Sequence, residues 1–406
     1  MKNILFVICI QVIFLSCKDE KSSILKTINI SKQMETSFHL SNIADSIIYY
    51  PIHLPIAETR INRIEIEVLT KHIYCVTGYK VYMFDRNSLN LIKSIYLGHP
   101  FTEGYFPYQT ITNTAFPFEQ EELFICPRRV EKGNNVFYSS GILNTITEEW
   151  EYNMNFPDYG FYQINDYALY RSLYPLRITK KDTLIWYNKQ MEYLKEEPLE
   201  DIILDFTYPI NHNCINFLHN KIYYHAPTST TIYEISPTKS PEALYKFELG
   251  EYKSNYKEFA DFDITKRKDE QFNTSPYYHL RNVQISERYI WGAYNYKGQT
   301  FAILFNKANG QTYILPTRTF LNKIYYPITE GGLTNDLDGG LDFWPRRISK
   351  YGEIYTWYNI EDLKAKVSQN NPKQMKNPEA ARRLKEMLDN LPKEVNYIIA
   401  VLKENK

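Results

Sequence analysis

The chain has 406 residues, including 36 Tyr, 22 Phe and 5 Trp, and 44% of its residues are apolar. This apolar content excludes wholesale disorder, and a count of only 15 Gly excludes a collagen-like chain or a Gly-rich linker protein. Lys and Arg (47) balance Asp and Glu (47), so the net charge of zero provides no broad attraction for nucleic acid, and no nucleic-acid partner is expected.

The N-terminus has the pattern of an export and lipidation signal. Lys2 precedes an apolar run over residues 4–15, which is shorter than the roughly 20 residues that a membrane-spanning helix needs. The run ends in Phe14-Leu15-Ser16-Cys17, which resembles the bacterial lipobox, in which the Cys becomes lipidated. We therefore predict a signal peptide over residues 1–16 and a lipidated Cys17 that opens a tether over residues 17–35. An ordinary signal peptide with an incidental Cys is the alternative.

The residues after Cys17 indicate where the anchored protein faces. Several acyl chains on one Cys would hold the protein firmly on a membrane, which is its predicted partner. Lys18-Asp19-Glu20 resembles the export signal that sends lipoproteins of Bacteroides-type bacteria to the cell surface. We predict an outer-membrane lipoprotein at the cell surface, with a periplasm-facing anchor as the alternative.

The middle of the chain contains a degenerate repeat of short β-strand patterns. Residues 63–98, 212–250 and 279–316 each show four runs rich in β-branched and aromatic residues, separated by turn residues. These turn residues predict middle hairpins at 78–79, 227–228 and 297–298 and last hairpins at 86–88, 237–238 and 308–310. Weaker copies occupy residues 122–155 and 161–195, and another begins near residue 340. Units of about 50 residues with four strands each are typical of propeller blades. The pattern predicts an all-β, six-bladed β-propeller over residues 36–406, with seven blades as the rival count.

The C-terminal region predicts a short helical insertion before a closing strand. Helices are predicted within residues 361–391, where Asn377 provides an N-cap before Pro378. Residues 395–403 are a nearly continuous apolar run, as in a buried strand. We expect the last blade to combine strands from residues 341–360 with this strand and with an outermost strand from residues 36–50.

Together, these features resemble the six-bladed β-propeller lipoproteins of Bacteroides-type bacteria. The resemblance depends on the lipobox, the repeat, the C-terminal ending and the string Asn-Asp-Leu-Asp-Gly-Gly-Leu-Asp-Phe-Trp-Pro over residues 335–345. That family is largely of unknown function, so the resemblance implies a fold and a location but no substrate and no catalytic residues.

The acidic string is the first candidate site. Asp336, Asp338 and Asp342 could supply oxygen ligands on a tight turn, as a hard cation such as Ca²⁺ requires. Asn-Asp and Gly-Gly pairs are equally typical of a structural turn, and direct contact with a ligand is a third reading. We expect no cofactor, with calcium at this string as the alternative.

Two Pro-Arg-Arg strings are the second candidate. Arg128 and Arg129 follow one apolar run, and Arg346 and Arg347 follow another that includes Trp344. Arginines at the mouth of a propeller channel could bind carboxylates or sulfates through two parallel hydrogen bonds. The alternative is that they pair with neighbouring acids or extend into solvent.

Aromatic residues in loops are the third candidate, because flat rings with hydroxyl tips suit sugar or peptide surfaces. They lie in the segments 103–108 and 275–279. No zinc-protease, serine-hydrolase, phosphate-loop or Cys-x-x-Cys motif is present in the sequence. We therefore expect a binding or scaffolding module for a glycan, a peptide or an envelope protein. A propeller enzyme, such as a glycan hydrolase or lyase with its site at the channel mouth, is the alternative.

Overall fold

A computed structural model describes the following residues, to which every structural statement below refers: 25–30, 38–55, 64–77, 80–96, 123–132, 135–152, 161–164, 167–172, 180–188, 193–202, 215–219, 221–225, 229–248, 279–296, 299–321 and 327–405. Most of these segments are β-strands in which apolar and aromatic residues alternate with polar ones or run continuously. In chain order the strands are β1 (Lys26–Asn29), β2 (Ala44–Ile52), β3 (Glu65–Val68), β4 (His72–Thr77), β5 (Lys80–Asp85), β6 (Leu91–Tyr96), β7 (Leu123–Lys132), β8 (Asn135–Asn144), β9 (Trp150–Tyr152), β10 (Phe161–Ile164), β11 (Tyr167–Ser172), β12 (Lys180–Asn188), β13 (Tyr193–Ile202), β14 (Ile215–Leu218), β15 (Lys221–Tyr224), β16 (Thr231–Ile235), β17 (Glu242–Glu248), β18 (His279–Ile285), β19 (Tyr289–Tyr296), β20 (Gln299–Asn306), β21 (Thr312–Leu321), β22 (Pro327–Gly331), β23 (Arg347–Ile348), β24 (Ile354–Asn359) and β25 (Tyr397–Glu404).

Within the described residues these strands form six sheets. Their strand orders are β3-β4-β5-β6, β7-β8-β9, β10-β11-β12-β13, β1-β17-β16-β15-β14, β18-β19-β20-β21-β22 and β2-β25-β24-β23. Neighbours along the chain pair antiparallel within each sheet, and the sheets succeed one another in chain order. This is the all-β propeller arrangement that the repeat predicts.

The core lies between the faces of neighbouring sheets. Phe247 and Phe305 belong to one buried cluster, which joins the sheet of β14–β17 to that of β18–β21. Trp291 belongs to a second cluster, shared with the last sheet. Tyr355 and Phe84 belong to a third, which joins the last sheet to that of β3–β6. The sheet of β18–β22 and the last sheet therefore bury both of their faces against neighbouring sheets, which a single meander could not do alone.

One hairpin turn recurs in three sheets. Its first side chain, Asp or Asn, accepts hydrogen bonds from the backbone N–H groups two and three residues later, as in an Asx turn. The residue four positions after it adopts a positive φ of 59°, 62° or 71°. The first residues and these positive-φ residues are, in order, Asp85 and Leu89, Asn144 and Glu148, and Asn306 and Gly310. The predicted last hairpins at residues 86–88 and 308–310 are thus confirmed as equivalent turns, whereas the predicted middle hairpins at residues 78–79, 227–228 and 297–298 lie outside the described residues.

The last sheet joins the two ends of the chain. Strand β25 lies between β24 and the N-terminal β2, and it pairs antiparallel with both. Its residues Ile398, Ile399, Ala400 and Val401 are fully buried. The predicted closing strand is therefore present at Tyr397–Glu404, and the N-terminal strand that completes the sheet is Ala44–Ile52.

Two helices precede this strand. Helix α1 spans Ile360–Gln369, and helix α2 spans Pro378–Asp389. The side chain of Asn377 accepts a hydrogen bond from the Ala380 N–H at 3.0 Å, which confirms the predicted N-cap. Leu384 and Leu388 are buried against α1 and β25, so the helices pack on the side of the last sheet. Two short 3-10 helices lie at Leu40–Asn42 and Pro372–Gln374.

The N-terminal segment departs from the predicted tether. Residues Lys26–Asn29 form β1, which pairs parallel with β17 as an additional outer strand. Ile28 and Ile30 are buried in the cluster between the sheets of β14–β17 and β18–β21. Burial of these two side chains explains why the segment joins a sheet, and the part of the predicted tether that precedes Leu25 lies outside the described residues.

Candidate functional site on the innermost strands

Polar side chains connect the first strands of successive sheets, which are the innermost strands of a propeller. Asn216 on β14 donates a hydrogen bond from Nδ2 to the carbonyl oxygen of Val283 on β18, at 3.0 Å. Gln284 on β18 donates from Nε2 to the carbonyl oxygens of Pro345 and Arg346, at 3.2 and 3.1 Å. These bonds fix the inner edges of three neighbouring sheets against one another.

The connection continues through Arg347, which is the first residue of β23. Its guanidinium is 6% exposed and lies 3.2 Å from Glu65 Oε2 and 3.8 Å from Glu67 Oε2 on β3. The two carboxylates raise the pKa of Arg347, whose charge persists in spite of burial. The predicted ligand-binding residue Arg347 is thus part of a buried ionic cluster that spans two sheets.

Glu67 is the unusual member of this cluster. It is almost fully buried, and burial raises the pKa of its carboxyl to about 7, although Arg347 and a hydrogen bond from Tyr355 act in the opposite direction. The Tyr355 hydroxyl lies 3.1 Å from Glu67 Oε2 and 3.1 Å from the carbonyl oxygen of Ile66. The pKa of Tyr355 is raised well above its usual range by burial and by Glu67. Glu67 is therefore a carboxyl that changes its protonation near neutral pH.

Arg346 occupies a different environment from its neighbour. Its guanidinium carbon lies 4.9 Å from the centre of the Trp357 ring, and the side chain is half-buried. Its backbone N–H donates to the carbonyl oxygen of Tyr355 at 3.1 Å. Arg346 is therefore held over an aromatic face while part of it remains accessible.

In the acidic string, the Asp338 carboxylate is buried and is the centre of a hydrogen-bond network. Asp338 is 4% exposed and accepts hydrogen bonds from Asn335 Nδ2 at 2.7 Å, from the Gly340 N–H at 3.0 Å and from the Tyr49 hydroxyl at 3.1 Å. Burial raises the pKa of Asp338, and these donors oppose the rise. Since Tyr49 lies on β2, this carboxylate connects the acidic string to the closing sheet.

The other two acids of the string also bind protein groups. Asp336 accepts from the backbone N–H and the hydroxyl of Ser41, at 2.9 and 2.6 Å. The Asp342 carbonyl oxygen accepts from the Tyr358 hydroxyl at 3.1 Å. No group of three His, Cys, Asp or Glu side chains within the described ranges is arranged to hold a metal ion. The Asp338 carboxylate accepts hydrogen bonds within the turn, and the Asp336 carboxylate connects the string to Ser41. Calcium binding stays a prediction.

Two positions near the acidic string require glycine, because neighbouring atoms leave no room for a Cβ. A Cβ at Gly340 would lie 2.6 Å from the Tyr49 hydroxyl and 2.9 Å from Asn335 Nδ2. Gly332 has a φ of +122°, and a Cβ there would lie 2.6 Å from the Phe343 carbonyl oxygen. These positions allow Leu333 and Phe343 to form an antiparallel bridge at the base of the string.

Trp344 is a core residue. Its side chain is 8% exposed, and its ring centre lies 5.2 Å from that of Trp291 in an edge-to-face arrangement. Phe343, which precedes it, is fully buried. The structure therefore brings Arg347 together with Glu65 and Glu67, places Arg346 over Trp357, and buries the Trp344 ring against Trp291.

The remaining predicted site residues are described only in part or not at all. Arg128 and Arg129 lie on β7, and their side chains are outside the described set. Cys17 and the aromatic segments 103–108 and 275–278 also lie outside the described residues.

Sequence reasoning missed the acidic partners of Arg347. The pattern Glu65-Ile66-Glu67-Val68 places two acids on one face of a strand whose other residues are apolar, and Ile66 and Val68 are buried. Two charges at alternate positions of an otherwise apolar strand would have indicated an ionic partner on another strand. Nothing in the sequence indicated which strand carries that partner.

Comparisons with known proteins give the family and the fold. No helix of the described residues is both long and apolar enough to cross a membrane. None of the curated proteins matches this chain in sequence. In structure, the chain is similar to a protein of Bacteroides fragilis NCTC 9343 that is named as an exported protein, with a TM-score of 0.63 and 13% identity over 94% of this chain and 100% of that one. This likeness shows a shared fold.

Weaker structural similarities are to two other proteins. One is the β-propeller domain of the Trilobed protease from Pyrococcus furiosus, with a TM-score of 0.32 and 11% identity over 62% of this chain and 68% of that one. The other is the extracellular domain of a hybrid two-component system from B. thetaiotaomicron, with a TM-score of 0.35 and 11% identity over 70% of this chain and 32% of that one. The family described as a domain of unknown function, DUF4934, matches residues 25–403. The chain therefore belongs to the DUF4934 family.

Proposed function

We propose that this protein is a lipid-anchored binding module of the bacterial envelope, built on a six-bladed propeller. The blade count is supported by the six sheets among the described residues and by the turn that recurs in three of them. Export is supported by the apolar run over residues 4–15, and a structural relative carries the name of an exported protein. Anchoring at Cys17, on the outer membrane and facing the cell surface, is supported by the lipobox and by Lys18-Asp19-Glu20.

The buried ionic cluster on the innermost strands carries the binding proposal. A buried ion pair adds little net stability over apolar residues of the same size, because both charges lose their hydration. Arg347, Glu65 and Glu67 nevertheless occupy this position, and Glu65 and Arg346 remain partly accessible beside it. A ligand with carboxylate or hydroxyl groups, such as an acidic glycan or a peptide, would form hydrogen bonds with the accessible parts of Glu65 and Arg346.

The test is a glycan and peptide array with the purified protein and two variants. Arg346→Ala removes a half-buried guanidinium next to the cluster, whereas Lys385→Ala removes an exposed charge on α2. We expect Arg346→Ala to lose the array signals and Lys385→Ala to keep them. Equal signals from all three proteins would place the ligand elsewhere on the protein and overturn this assignment.

Glu67 supports a second candidate, a glycan hydrolase or lyase. A buried carboxyl with a pKa of about 7 has the property that a general acid or base needs at neutral pH. Asp336 and Asp338 are less suited to this role, because each carboxylate accepts at least two of the hydrogen bonds described above, whereas Glu67 accepts one, from Tyr355. Release of product from an array glycan over hours, lost in Glu67→Gln, would favour the enzyme over the binding module.

A further inference from the structure

One end of the propeller consists of tight turns that contact one another across sheet boundaries. We name it the turn end and define it by the turns after β3, β5, β14, β18, β20 and β23. Arg86, after β5, donates to the carbonyl oxygen of Leu69 and to Glu353 Oε1, both at 2.8 Å. His219, after β14, donates its backbone N–H to the carbonyl oxygen of Lys350 at 2.7 Å. These turns therefore share one end of the structure.

The N-terminal strand enters the sheet from this turn end. Strand β1 runs parallel to β17. Strand β17 begins after the turn that follows β16 and runs away from that turn. Lys26 Nζ donates to the carbonyl oxygen of Lys307, in the turn after β20, at 3.1 Å. The direction of β1 thus places Leu25, where the described residues begin, at the turn end.

The tether is short compared with the height of a sheet. The nine residues from Cys17 to Leu25 make eight Cα–Cα steps and extend at most about 28 Å. An eight-residue strand such as β19 extends about 26 Å. A tether that turned back along the sheet would therefore use nearly all of its length before it reached the opposite end.

Among the described residues, the exposed charges at the turn end are of both signs. Exposed Lys71 and Lys239 at or near the turn end are accompanied by exposed Glu148 and Glu287. Mixed charges of this kind give little net attraction to an anionic membrane surface. The position of the tether is therefore the feature that orients the molecule.

We propose that the turn end faces the membrane that carries the anchor, and that the opposite end faces outward. The inference rests on the proposed lipid anchor at Cys17. Strand β3 ends at the turn end, so its first residue, Glu65, lies farther from that end than Val68 does. Arg347 lies two residues before Ser349, in the turn after β23, and contacts Glu65 from there.

Two fluorophore positions on one strand test this orientation. Asn87 lies in the turn after β5, and Lys80 begins β5 at the opposite end; both side chains are exposed and about 20 Å apart. Asn87→Cys and Lys80→Cys are labelled with a donor fluorophore in a background of Cys126→Ala and Cys214→Ala. Cys75 is buried, and burial raises the pKa of its thiol, so it does not compete for the label.

The acylated protein is then inserted in phosphatidylcholine vesicles that contain a rhodamine-labelled phosphatidylethanolamine as acceptor. We expect a larger loss of donor emission at position 87 than at position 80, with no change in this order when the salt concentration is raised. Equal losses, or a larger loss at position 80, in protein that floats with the vesicles would overturn the orientation alone. Protein that does not float, with an unmodified Cys17 by mass spectrometry, would overturn both the anchor and the orientation.

Discussion

Replacing Arg347 by Met tests whether this guanidinium holds the two inner sheets together by charge. Arg347 is 6% exposed and faces Glu65 at 3.2 Å and Glu67 at 3.8 Å. Methionine keeps an unbranched apolar stem, so the packing changes less than the charge. Removing one partner of a buried ion pair costs about 3–5 kcal/mol, because the other charge stays buried and unpaired. Glu65 is 23% exposed and can recruit water, so we expect the lower limit, about 3 kcal/mol at pH 8.

The assay is urea unfolding followed by tryptophan fluorescence, applied to a double-mutant cycle. The cycle consists of the parent protein, Arg347→Met, Glu67→Gln and the double variant. Glu67→Gln removes one of the stranded charges, so the two changes together should cost less than their sum by about 1–3 kcal/mol. The matched control is Arg382→Met, which removes an exposed arginine that pairs with Glu379 on α2. We expect no measurable change in that control.

Two results would refute this reasoning. One is a loss below about 1 kcal/mol in Arg347→Met at pH 8. The other is additivity of the two substitutions within about 0.5 kcal/mol, since independent sites behave in that way. Either result would mean that the carboxylates of Glu65 and Glu67 do not depend on the guanidinium between them.

Three further predictions follow from the described contacts. Burial raises the pKa of Glu67 from 4.5 to about 7. Between these two pH values the folded protein keeps a proton that the unfolded chain releases. The free energy of unfolding therefore falls as pH rises from 4.5 to about 7. Relative to Glu67→Gln, we expect a loss of at most about 3 kcal/mol between pH 4 and pH 8, measured by urea unfolding, and a constant difference would contradict it. Gly340→Ala would place a Cβ 2.6 Å from the Tyr49 hydroxyl and should destabilise the protein by about 1–3 kcal/mol in thermal or urea unfolding. Gly310→Asn, at an open turn with a φ of +71°, should destabilise the protein less than Gly340→Ala does. A larger loss of stability in Gly310→Asn would show that the hydrogen-bond network around Asp338 is loosely packed. Ending the chain at Pro392 removes β25, whose buried residues such as Ile399 and Val401 contribute roughly 1.5–3 kcal/mol each to stability. We therefore expect the truncated chain to lose cooperative unfolding, whereas a chain that lacks only Lys406 should unfold cooperatively.

Much of the fold can be predicted from short patterns in the sequence. Turn residues separated apolar runs at regular spacing, and the equivalent turns that begin at Asp85 and Asn306 follow from that chemistry. The cap at Asn377 and the buried strand β25 were also predicted, because capping and continuous apolar runs are properties of short segments. The addition of β1 to β17 was missed, because a four-residue strand inside a polar segment has too little pattern to separate it from a tether.

Less of the candidate site than of the fold can be predicted from the sequence. Arg346 and Arg347 stood out as a pair, but their environments differ: one stacks on Trp357 and the other is buried between Glu65 and Glu67. Asp338 stood out as a metal-ligand type, yet its oxygens accept hydrogen bonds from Asn335 and Tyr49. In each case the residue type was informative about chemistry, and its use depended on neighbours from other parts of the chain.

The β-rich repeat, the turns and the last strand can be predicted from the sequence, because they depend on residues within a few positions of one another. The contact between Arg347 and Glu65, which are 282 positions apart, and the position of Lys26 at the turn end are visible only in the folded protein. Strand patterns specify which residues form a sheet and which face they occupy. They do not specify which strands become neighbours when several sheets pack, because that choice depends on the closure of the whole chain.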